Sequence, residues 1–252
     1  MKNLFILGAA LLLSTAASAQ NLTTRELTVP KEIAARMPRV NMNFILKTQD
    51  DLPDGEKSPL LIWMHGGGAG AKVNGEGWPR QRKFKYLSKD YPFAVLYPQA
   101  VGTGWDGESM EVLVKYVLEN FPIDPKRVYL SGSSMGGAGT WLVANHNPDL
   151  YAALVPCMGG GRVREEIVEV ISLERLKHVP IWAFSGRIDK ATPIEYAIEL
   201  EEGLKANGGN IRHTIYEDMG HQGPADEAFN QVETYTWLMS YEKGEDTSID
   251  AD

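Results

Sequence analysis

A serine framed by two glycines constrains the fold of this chain more than any other short segment. Residues 128–130 form a β-favouring Val-Tyr-Leu run, and Gly132, Ser134 and Gly136 follow it in G-x-S-x-G spacing. A strand that turns at once into a helix strains the backbone at the apex, so the residues two before and two after the apex must lack side chains. The segment therefore predicts a strand, a sharp turn and a helix, with Ser134 at the apex.

The apex position would give the Ser134 hydroxyl a reactive setting. The hydroxyl would stand at the N-terminus of the following helix, where the helix dipole and the free N–H groups favour a developing negative charge. The alternative interpretation is a flexible Gly/Ser turn. Because a β-favouring run precedes the motif and a helical pattern follows it, the strained turn is favoured and Ser134 is the candidate nucleophile.

Predicted strands and helices alternate along the chain. Its 252 residues with 43% hydrophobic content suit a single α/β domain with a sizeable core. The predicted strands cover residues 40–47, 60–64, 93–97, 128–131, 152–157, 181–185 and 211–216, the first as a half-exposed edge strand. The predicted helices cover residues 108–119, 135–145, 163–176, 193–206 and 225–239. This alternation predicts a mainly parallel central sheet with helices on both faces.

The start of the chain has the composition of a secretory signal peptide. Residues 1–3 carry a positive charge, residues 4–13 are almost wholly apolar, and Ala-Ser-Ala at 17–19 forms a small-x-small cleavage site. We therefore expect a signal peptide over residues 1–19 and a secreted or periplasmic mature protein. No membrane anchor is expected in the mature form, because the apolar run is shorter than the roughly 20 residues that span a membrane.

The rest of the chain is interpreted as one domain with a polar segment at either end. Residues 20–241 would form the single domain, and residues 21–38, which are mixed and polar, would lie on its surface as an arm. Residues 242–252 are acidic and nearly free of apolar side chains, which predicts a disordered tail.

Charge and cysteine content exclude several classes of partner. The formal net charge of −8 argues against nucleic acid, which is bound by clustered Lys and Arg. Cys157 is the only cysteine, so an intramolecular disulfide and a Cys-based metal site are both impossible, and we interpret it as a small buried hydrophobe. The five histidines show no metal-ligand spacing, so neither a metal nor a cofactor is expected.

A base and an acid for Ser134 are sought just beyond predicted strands, where parallel sheets gather their ligands. Of the five histidines, His221 alone lies in such a loop, between Gly220 and Gln222-Gly223. Asp189 follows the predicted strand 181–185, and the order serine, aspartate, histidine is the one found in α/β-hydrolases. Asp218 is the rival acid, but its closeness to His221 on one short loop favours a solvated turn residue.

Two backbone N–H groups are candidates for binding a developing oxyanion. One belongs to Met135, directly after the nucleophile, and the other to Gly67, in the His-Gly-Gly-Gly run after the predicted strand 60–64. The alternative for that run is a flexible glycine turn. Trp78 and Trp105 follow predicted strands and would be able to stack on a sugar or aromatic ring, although both also fit partly buried aromatics.

Residues 123–130 and 132–137 resemble a known group of secreted α/β-hydrolases. The group contains poly-hydroxybutyrate depolymerase-like and feruloyl-esterase-like enzymes and "predicted peptidases" related to prolyl oligopeptidase, and the likeness extends from about residue 60 to 239. Residues 186–189 with Pro193, and Gly220 with His221, match the places where the group carries its acid and base. The chain is also similar to dienelactone hydrolases, which have a cysteine where this chain has Ser134.

The resemblance implies an α/β-hydrolase fold and a serine hydrolase of carboxylic esters. The implied substrate is a small-molecule or polysaccharide-linked ester, such as a feruloyl or acetyl ester of plant polysaccharide. Two alternatives remain: a serine peptidase, for whose large gating domain the chain has no room, and an inactive binding protein of the same fold. Relatives often have Trp or Ser where Gln222-Gly223-Pro224 follows His221, and His where Ser185 stands, so the substrate stays open.

Overall fold

A computed structural model describes residues 22–49, 52–67, 78–88, 90–160 and 171–244. The expected signal peptide over residues 1–19 lies outside the described residues. So do residues 163–170 of the helix predicted over 163–176, whose last residues form a short described helix.

Eight strands of the described chain form one sheet in the order β1-β2-β4-β3-β5-β6-β7-β8. The strands are β1 (Leu22–Thr28), β2 (Asn43–Gln49), β3 (Ser58–Met64), β4 (Ala94–Tyr97), β5 (Ile123–Ser133), β6 (Ala153–Cys157), β7 (Ile181–Gly186) and β8 (Ile211–Tyr216). Strands β1 and β2 run antiparallel to their neighbours, and all pairs from β4 through β8 are parallel. The prediction of an α/β fold with a mainly parallel sheet is confirmed.

The described helices are α1 (Lys31–Ala34), α2 (Gly107–Asn120), α3 (Met135–His146), α4 (Leu173–Leu176), α5 (Glu195–Ala206), α6 (Pro224–Asn230) and α7 (Val232–Met239). Helix α2 begins where the Asp106 carboxylate caps it by accepting a 2.8 Å hydrogen bond from the Ser109 N–H. Among the described residues, no helix combines the length and the apolar character needed to cross a membrane.

The sheet separates two hydrophobic cores, and β3 shows how. All seven residues of β3 are buried. Because successive side chains of a strand point to opposite faces, Leu60 and Ile62 join the core that contains Trp141 of α3, whereas Leu61 and Trp63 join the other core. A strand buried on both faces must be apolar throughout, which explains the continuous run seen in the sequence.

The strand predicted over residues 40–47 is present with shifted bounds, but its predicted position at the edge of the sheet is wrong. The strand is Asn43–Gln49, and β1 pairs with it on its outer side, so Phe44–Leu46 are buried. The strand at this edge of the sheet is β1, which lies within the segment interpreted as a surface arm. Its residues are mostly polar and only partly covered, so they show no apolar alternation that would reveal a strand.

The helix predicted over residues 225–239 is divided in two. Gln231 has an extended backbone (φ −110°, ψ 142°) and separates α6 from α7. The Tyr235 hydroxyl of α7 donates a 2.9 Å hydrogen bond to the Phe229 carbonyl of α6, which holds the two helices together. A continuous hydrophobic pattern does not reveal such a break.

The described start of the predicted acidic tail contacts the domain. The Lys243 N–H donates a 2.9 Å hydrogen bond to the Lys126 carbonyl, and a Glu242 carboxylate oxygen lies 4.0 Å from the Arg127 guanidinium. The expectation of disorder is therefore wrong for residues 242–244, and residues 245–252 lie outside the described residues.

The turn from β5 into α3 has the strained geometry that the glycine spacing predicts. Ser134 directly follows the strand with φ 57° and ψ −116°. Residues other than glycine rarely adopt a backbone conformation with a positive φ of this kind. A Cβ on Gly136 would lie 2.1 Å from the Met64 carbonyl oxygen of β3, and one on Gly132 would lie 2.5 Å from the Gly136 oxygen. Only glycine fits at either position.

Replacing Gly136 by alanine should destabilise the whole domain. The atoms that the new methyl group would meet belong to the backbone of β3, so we expect a loss of more than about 3 kcal/mol, the upper end of ordinary overpacking. Gly104→Ala is the control, since a Cβ there meets no atom of the described residues within 4 Å and should change stability by less than about 1 kcal/mol. Urea unfolding of both variants checks this, and equal stabilities would contradict it.

Candidate active site

The residues predicted to react come together at one edge of the sheet. Ser134 follows β5, Asp189 follows β7 and His221 follows β8, and these strands run parallel in the sheet, with β6 between β5 and β7. Parallel strands bring their carboxyl ends to the same edge, so residues far apart in sequence meet there.

The three side chains form a continuous hydrogen-bonded chain. His221 Nε2 lies 2.8 Å from Ser134 Oγ, and His221 Nδ1 lies 2.8 Å from Asp189 Oδ2. A carboxylate only accepts hydrogen bonds, so Nδ1 carries the proton of the neutral ring and donates it to Asp189. Nε2 then accepts from the Ser134 hydroxyl, which is the arrangement needed to take up the serine proton.

Asp189 is held as a carboxylate by the start of its own loop. Oδ1 accepts hydrogen bonds from the N–H groups of Ala191 (2.8 Å) and Thr192 (3.0 Å), and Oδ2 accepts one from the Thr192 hydroxyl (2.7 Å). Burial by itself raises the pKa of Asp189, but these bonds and the one from His221 outweigh it and lower the pKa below its usual value. The spacing Asp-x-x-Thr was a signal for this turn that sequence reasoning left unused. The rival Asp218 is exposed.

The loops of the acid and the base are pressed together, backbone against backbone. A Cβ on Gly186 would lie 2.3 Å from the Met219 oxygen and 2.5 Å from the Gly220 oxygen. The Ile188 N–H also donates a 3.1 Å hydrogen bond to the Met219 carbonyl. This contact sets the distance from which Asp189 reaches the His221 ring.

Both expected oxyanion donors lie beside Ser134. Met135 is the first residue of α3, where backbone N–H groups have no partner within the helix. Gly66 and Gly67 follow β3 and line the same cleft as Ser134, and a Cβ on Gly66 would lie 3.4 Å from the Ser134 Cβ. The oxyanion roles of Met135 and Gly67 stay predictions.

A cleft of about 440 Å³ opens at Ser134 and His221. This volume is within the range of small-molecule sites. Its other described lining residues are mainly polar, with an apolar contribution from a tryptophan and a methionine: Trp63, His65, Arg80, Gln81, Arg82, Ser133, Met158 and Gln222.

Arg82 shapes the wall of this cleft and was missed by sequence reasoning. Its guanidinium lies 4.7 Å from the centre of the Trp63 ring. Nη2 donates 2.8 Å hydrogen bonds to the Ala225 carbonyl and to the Asp226 carboxylate, both at the start of α6. These partners lie more than 140 residues away in sequence, so no local pattern could have revealed the contact.

The two tryptophans proposed as substrate contacts occupy different settings. Trp105 is 6% exposed, its indole N–H donates a 3.2 Å hydrogen bond to the His65 carbonyl, and a Cβ on Gly139 would lie 2.6 Å from its ring. The substrate contact predicted for Trp105 is therefore wrong, because the side chain is buried and is not among the described residues that line the cleft. Trp78 is 41% exposed, and its role stays a prediction.

A second serine, histidine and carboxylate repeat the distances of the first set. His213 Nε2 lies 2.9 Å from Ser185 Oγ, and His213 Nδ1 lies 2.7 Å from Glu201 Oε2. The His213 side chain is only 1% exposed, and neither it nor Ser185 is among the described residues that line the cleft. This set therefore joins β7, β8 and α5 internally and cannot meet a substrate.

Cys157 is fully buried, as predicted, and burial raises the pKa of its thiol to about 12, so it stays uncharged. Within the described ranges, no group of three or more His, Cys, Asp or Glu side chains is arranged to hold a metal ion.

One known protein family matches more than half of the chain. The model of the Dienelactone hydrolase family matches residues 106–243, which is more than half of the chain. The matched range contains Ser134, Asp189 and His221.

Relatives with known names are similar over a shorter stretch. A bifunctional acetylxylan esterase/xylanase of Neocallimastix patriciarum is 32% identical over 111 residues, 40% of this chain and 16% of that protein. Poly(3-hydroxyalkanoate) depolymerase C of Paucimonas lemoignei is 29% identical over 122 residues, 41% of this chain and 28% of that protein. The chain spans 16% to 39% of the length of the curated relatives it matches.

A solved structure extends the likeness over almost the whole fold. The crystal structure of a thermostable esterase matches with a TM-score of 0.65 and 23% identity, covering 88% of this chain and 63% of that one. At this identity the match shows a shared fold.

The buried His213 should make stability depend on pH below neutrality. Burial lowers the pKa of His213 in the folded protein, although Glu201 opposes this. A histidine in the unfolded chain takes up a proton at about pH 6.5. Protons therefore bind the unfolded chain first, and stability should fall as the pH drops below that value. Urea unfolding at about pH 7.5 and 5.5 should show a smaller loss for His213→Gln than for wild type. The surface variant His178→Gln controls for loss of a histidine, and an unchanged loss in His213→Gln would contradict the prediction.

Proposed function

Because the chain belongs to the dienelactone hydrolase family, we propose that it is a serine hydrolase that cleaves carboxylic esters through an acyl-enzyme. The observation that carries this proposal is the chain of two 2.8 Å hydrogen bonds from Asp189 through His221 to Ser134, at the edge of a cleft. The named relatives, an acetylxylan esterase/xylanase and a poly(3-hydroxyalkanoate) depolymerase, support ester hydrolysis.

The proposed reaction begins with attack of Ser134 Oγ on the acyl carbon. The serine proton passes to His221 Nε2, and the carboxylate of Asp189 stabilises the imidazolium that results. The tetrahedral intermediate collapses when the ring gives that proton to the leaving alkoxide. Water then attacks the acyl-serine by the same steps and releases the acid.

The tetrahedral intermediate carries a negative charge on the former carbonyl oxygen. The N–H groups of Met135 and Gly67 are the proposed donors to this oxyanion. Met135 stands at the N-terminus of α3, so the helix dipole adds to the stabilisation.

Ser134 stands where dienelactone hydrolases carry a cysteine, so this site must supply a base that activates the hydroxyl. A thiol is partly ionised near neutral pH, whereas a serine hydroxyl is a weak nucleophile without a base in hydrogen-bond contact. The contact between His221 and Ser134 meets this need. The same contact favours an active enzyme over an inactive binding protein with this fold.

We propose acyl esters of polysaccharide, acetyl or feruloyl, as the substrate class. The similarity to an acetylxylan esterase/xylanase supports this choice. The polar lining from Arg80, Gln81 and Gln222 suits a hydroxyl-rich alcohol, and the volume suits a small acyl group. Such polymers lie outside cells, which agrees with export directed by the signal-peptide pattern of residues 1–19.

Ser134→Ala should abolish hydrolysis of p-nitrophenyl acetate and labelling by a fluorophosphonate. The substitution removes the only atom that attacks, and its small volume change should leave the melting temperature near that of wild type. Ser185→Ala is a matched control, because it removes the serine of the enclosed second set and should keep both activity and labelling. Labelling that persists in Ser134→Ala and is lost in Ser185→Ala would overturn the assignment.

Asp189→Asn should damage catalysis far more than Asp218→Asn. An amide can present an N–H to the ring and favour the wrong tautomer, and in a serine protease this exchange costs about 10⁴ in kcat, so we expect about 10²–10⁴ here. Asp218 is exposed, and its loss should cost less than about tenfold because solvent screens its charge. Steady-state kinetics on one ester, with thermal unfolding as control, decides between them. A larger loss in a folded Asp218→Asn would move the acid to the loop of His221.

A further inference from the structure

His65 is a buried histidine at the cleft that takes no part in the proposed proton transfer. It follows the last residue of β3, is 4% exposed, and precedes Gly66 and Gly67. Its Nδ1 lies 2.8 Å from the Gly66 carbonyl oxygen, and the Ala100 N–H donates to its Nε2 over 3.1 Å. The ring therefore connects the loop after β3 with the segment after β4.

These two partners determine the tautomer of the ring. A backbone N–H can only donate, so Nε2 beside Ala100 must be the unprotonated nitrogen. A carbonyl can only accept, so Nδ1 carries the proton and donates to Gly66. Burial lowers the pKa of His65, the Gly66 carbonyl opposes this, and the charge of Arg80 lowers the pKa further. The ring is thus neutral, with its proton on Nδ1.

The segment that carries Ala100 is itself held in place. Residues Val40 and Ala100 form an antiparallel bridge, and the Asn41 N–H donates a 2.8 Å hydrogen bond to the Gln99 carbonyl. On the other side, the Trp105 indole donates to the His65 carbonyl, and the Trp105 and His65 ring centres lie 4.9 Å apart. The imidazole is consequently a fixed point against which the glycine loop can be oriented.

Holding the Gly66 carbonyl also orients the Gly67 N–H. In a trans peptide these two groups point in opposite directions, so a carbonyl directed to the ring sends the N–H away from it. Glycine lacks the side chain that would restrict this peptide, so an external contact must fix its orientation. We propose that His65 is a positioning residue that holds the Gly66–Gly67 peptide with its N–H ready to bind the oxyanion. This inference rests on the proposed function for the identity of the charge that Gly67 binds.

Two amide variants separate the two contacts of the ring. The amide of His65→Asn reaches about as far as Nδ1 and can still donate to Gly66, whereas that of His65→Gln reaches Nε2 and can only replace the contact with Ala100. We expect kcat to fall by about 10- to 100-fold in His65→Gln, less than the 10²–10³ for a donor removed outright, with KM within about threefold. His65→Asn should stay within about fivefold of wild type in kcat, because the oxyanion donor keeps its orientation.

A transition-state analogue supplies a readout that a merely structural role would not move. A trifluoromethyl ketone adds to the nucleophile and forms an oxyanion at the place where the ester forms one. Its inhibition constant should increase in His65→Gln in proportion to the loss in kcat/KM, and should change little in His65→Asn. Equal losses of kcat in the two variants, or an inhibition constant that is unchanged in both, would overturn the inference.

A spectroscopic measurement tests the geometry without any activity. The ¹⁵N spectrum of the histidine rings should assign to His65 a neutral ring protonated on Nδ1 at about pH 8, and burial should lower the pKa of this ring below that of an ordinary histidine. A neutral ring protonated on Nε2 would overturn the inference. Should wild type show the expected ring but neither hydrolyse esters nor label at Ser134, the proposed function fails and the peptide orientation stands.

Discussion

The close approach of α3 to β3 is the constraint on which the site depends. Gly136 brings the helix so near β3 that a Cβ there would lie 2.1 Å from the Met64 carbonyl oxygen, and the strained Ser134 makes the turn from β5 into this helix. The same approach places the first N–H groups of α3 beside the glycine loop that follows β3. The candidate nucleophile and the two candidate oxyanion donors are thus brought together by one backbone contact between neighbouring elements, and the candidate base joins them from the loop after β8.

The direction of the hydrogen bonds in the site is set by the backbone N–H groups, carbonyls and carboxylate, because each of these can play only one role. The N–H groups of Ala191 and Thr192 fix the carboxylate of Asp189, which fixes the proton of His221, which leaves Nε2 open to Ser134. The proton of His65 is fixed in a similar way, because the Ala100 N–H donates to Nε2 and leaves the proton on Nδ1. The two histidines at the cleft therefore hold their protons on the same nitrogen for different purposes.

The fold and most of the site could be predicted because their signals are local. Continuous apolar runs mark strands buried on both faces, and the glycine spacing marks the strained turn at Ser134. Contacts between distant segments left no such signal: β1 is polar because it is the edge, Arg82 finds its partners in α6, and Trp105 is enclosed by Gly139 and His65. The position after a strand predicted closeness to the site, but it did not predict whether Trp105 would be open to solvent.

The separation of the reacting side chains along the chain has a consequence for when the site comes into being. Ser134 and His221 are 87 residues apart, and the loop of His221 leaves β8, the last strand and the outer one of its half of the sheet. Contacts between distant segments form late in folding because closing long loops is costly in entropy. Until β8 docks, the serine has no base. The proposed hydrolytic activity would therefore require the complete fold, since the hydrogen bond between Ser134 and His221 forms only when β8 is in place.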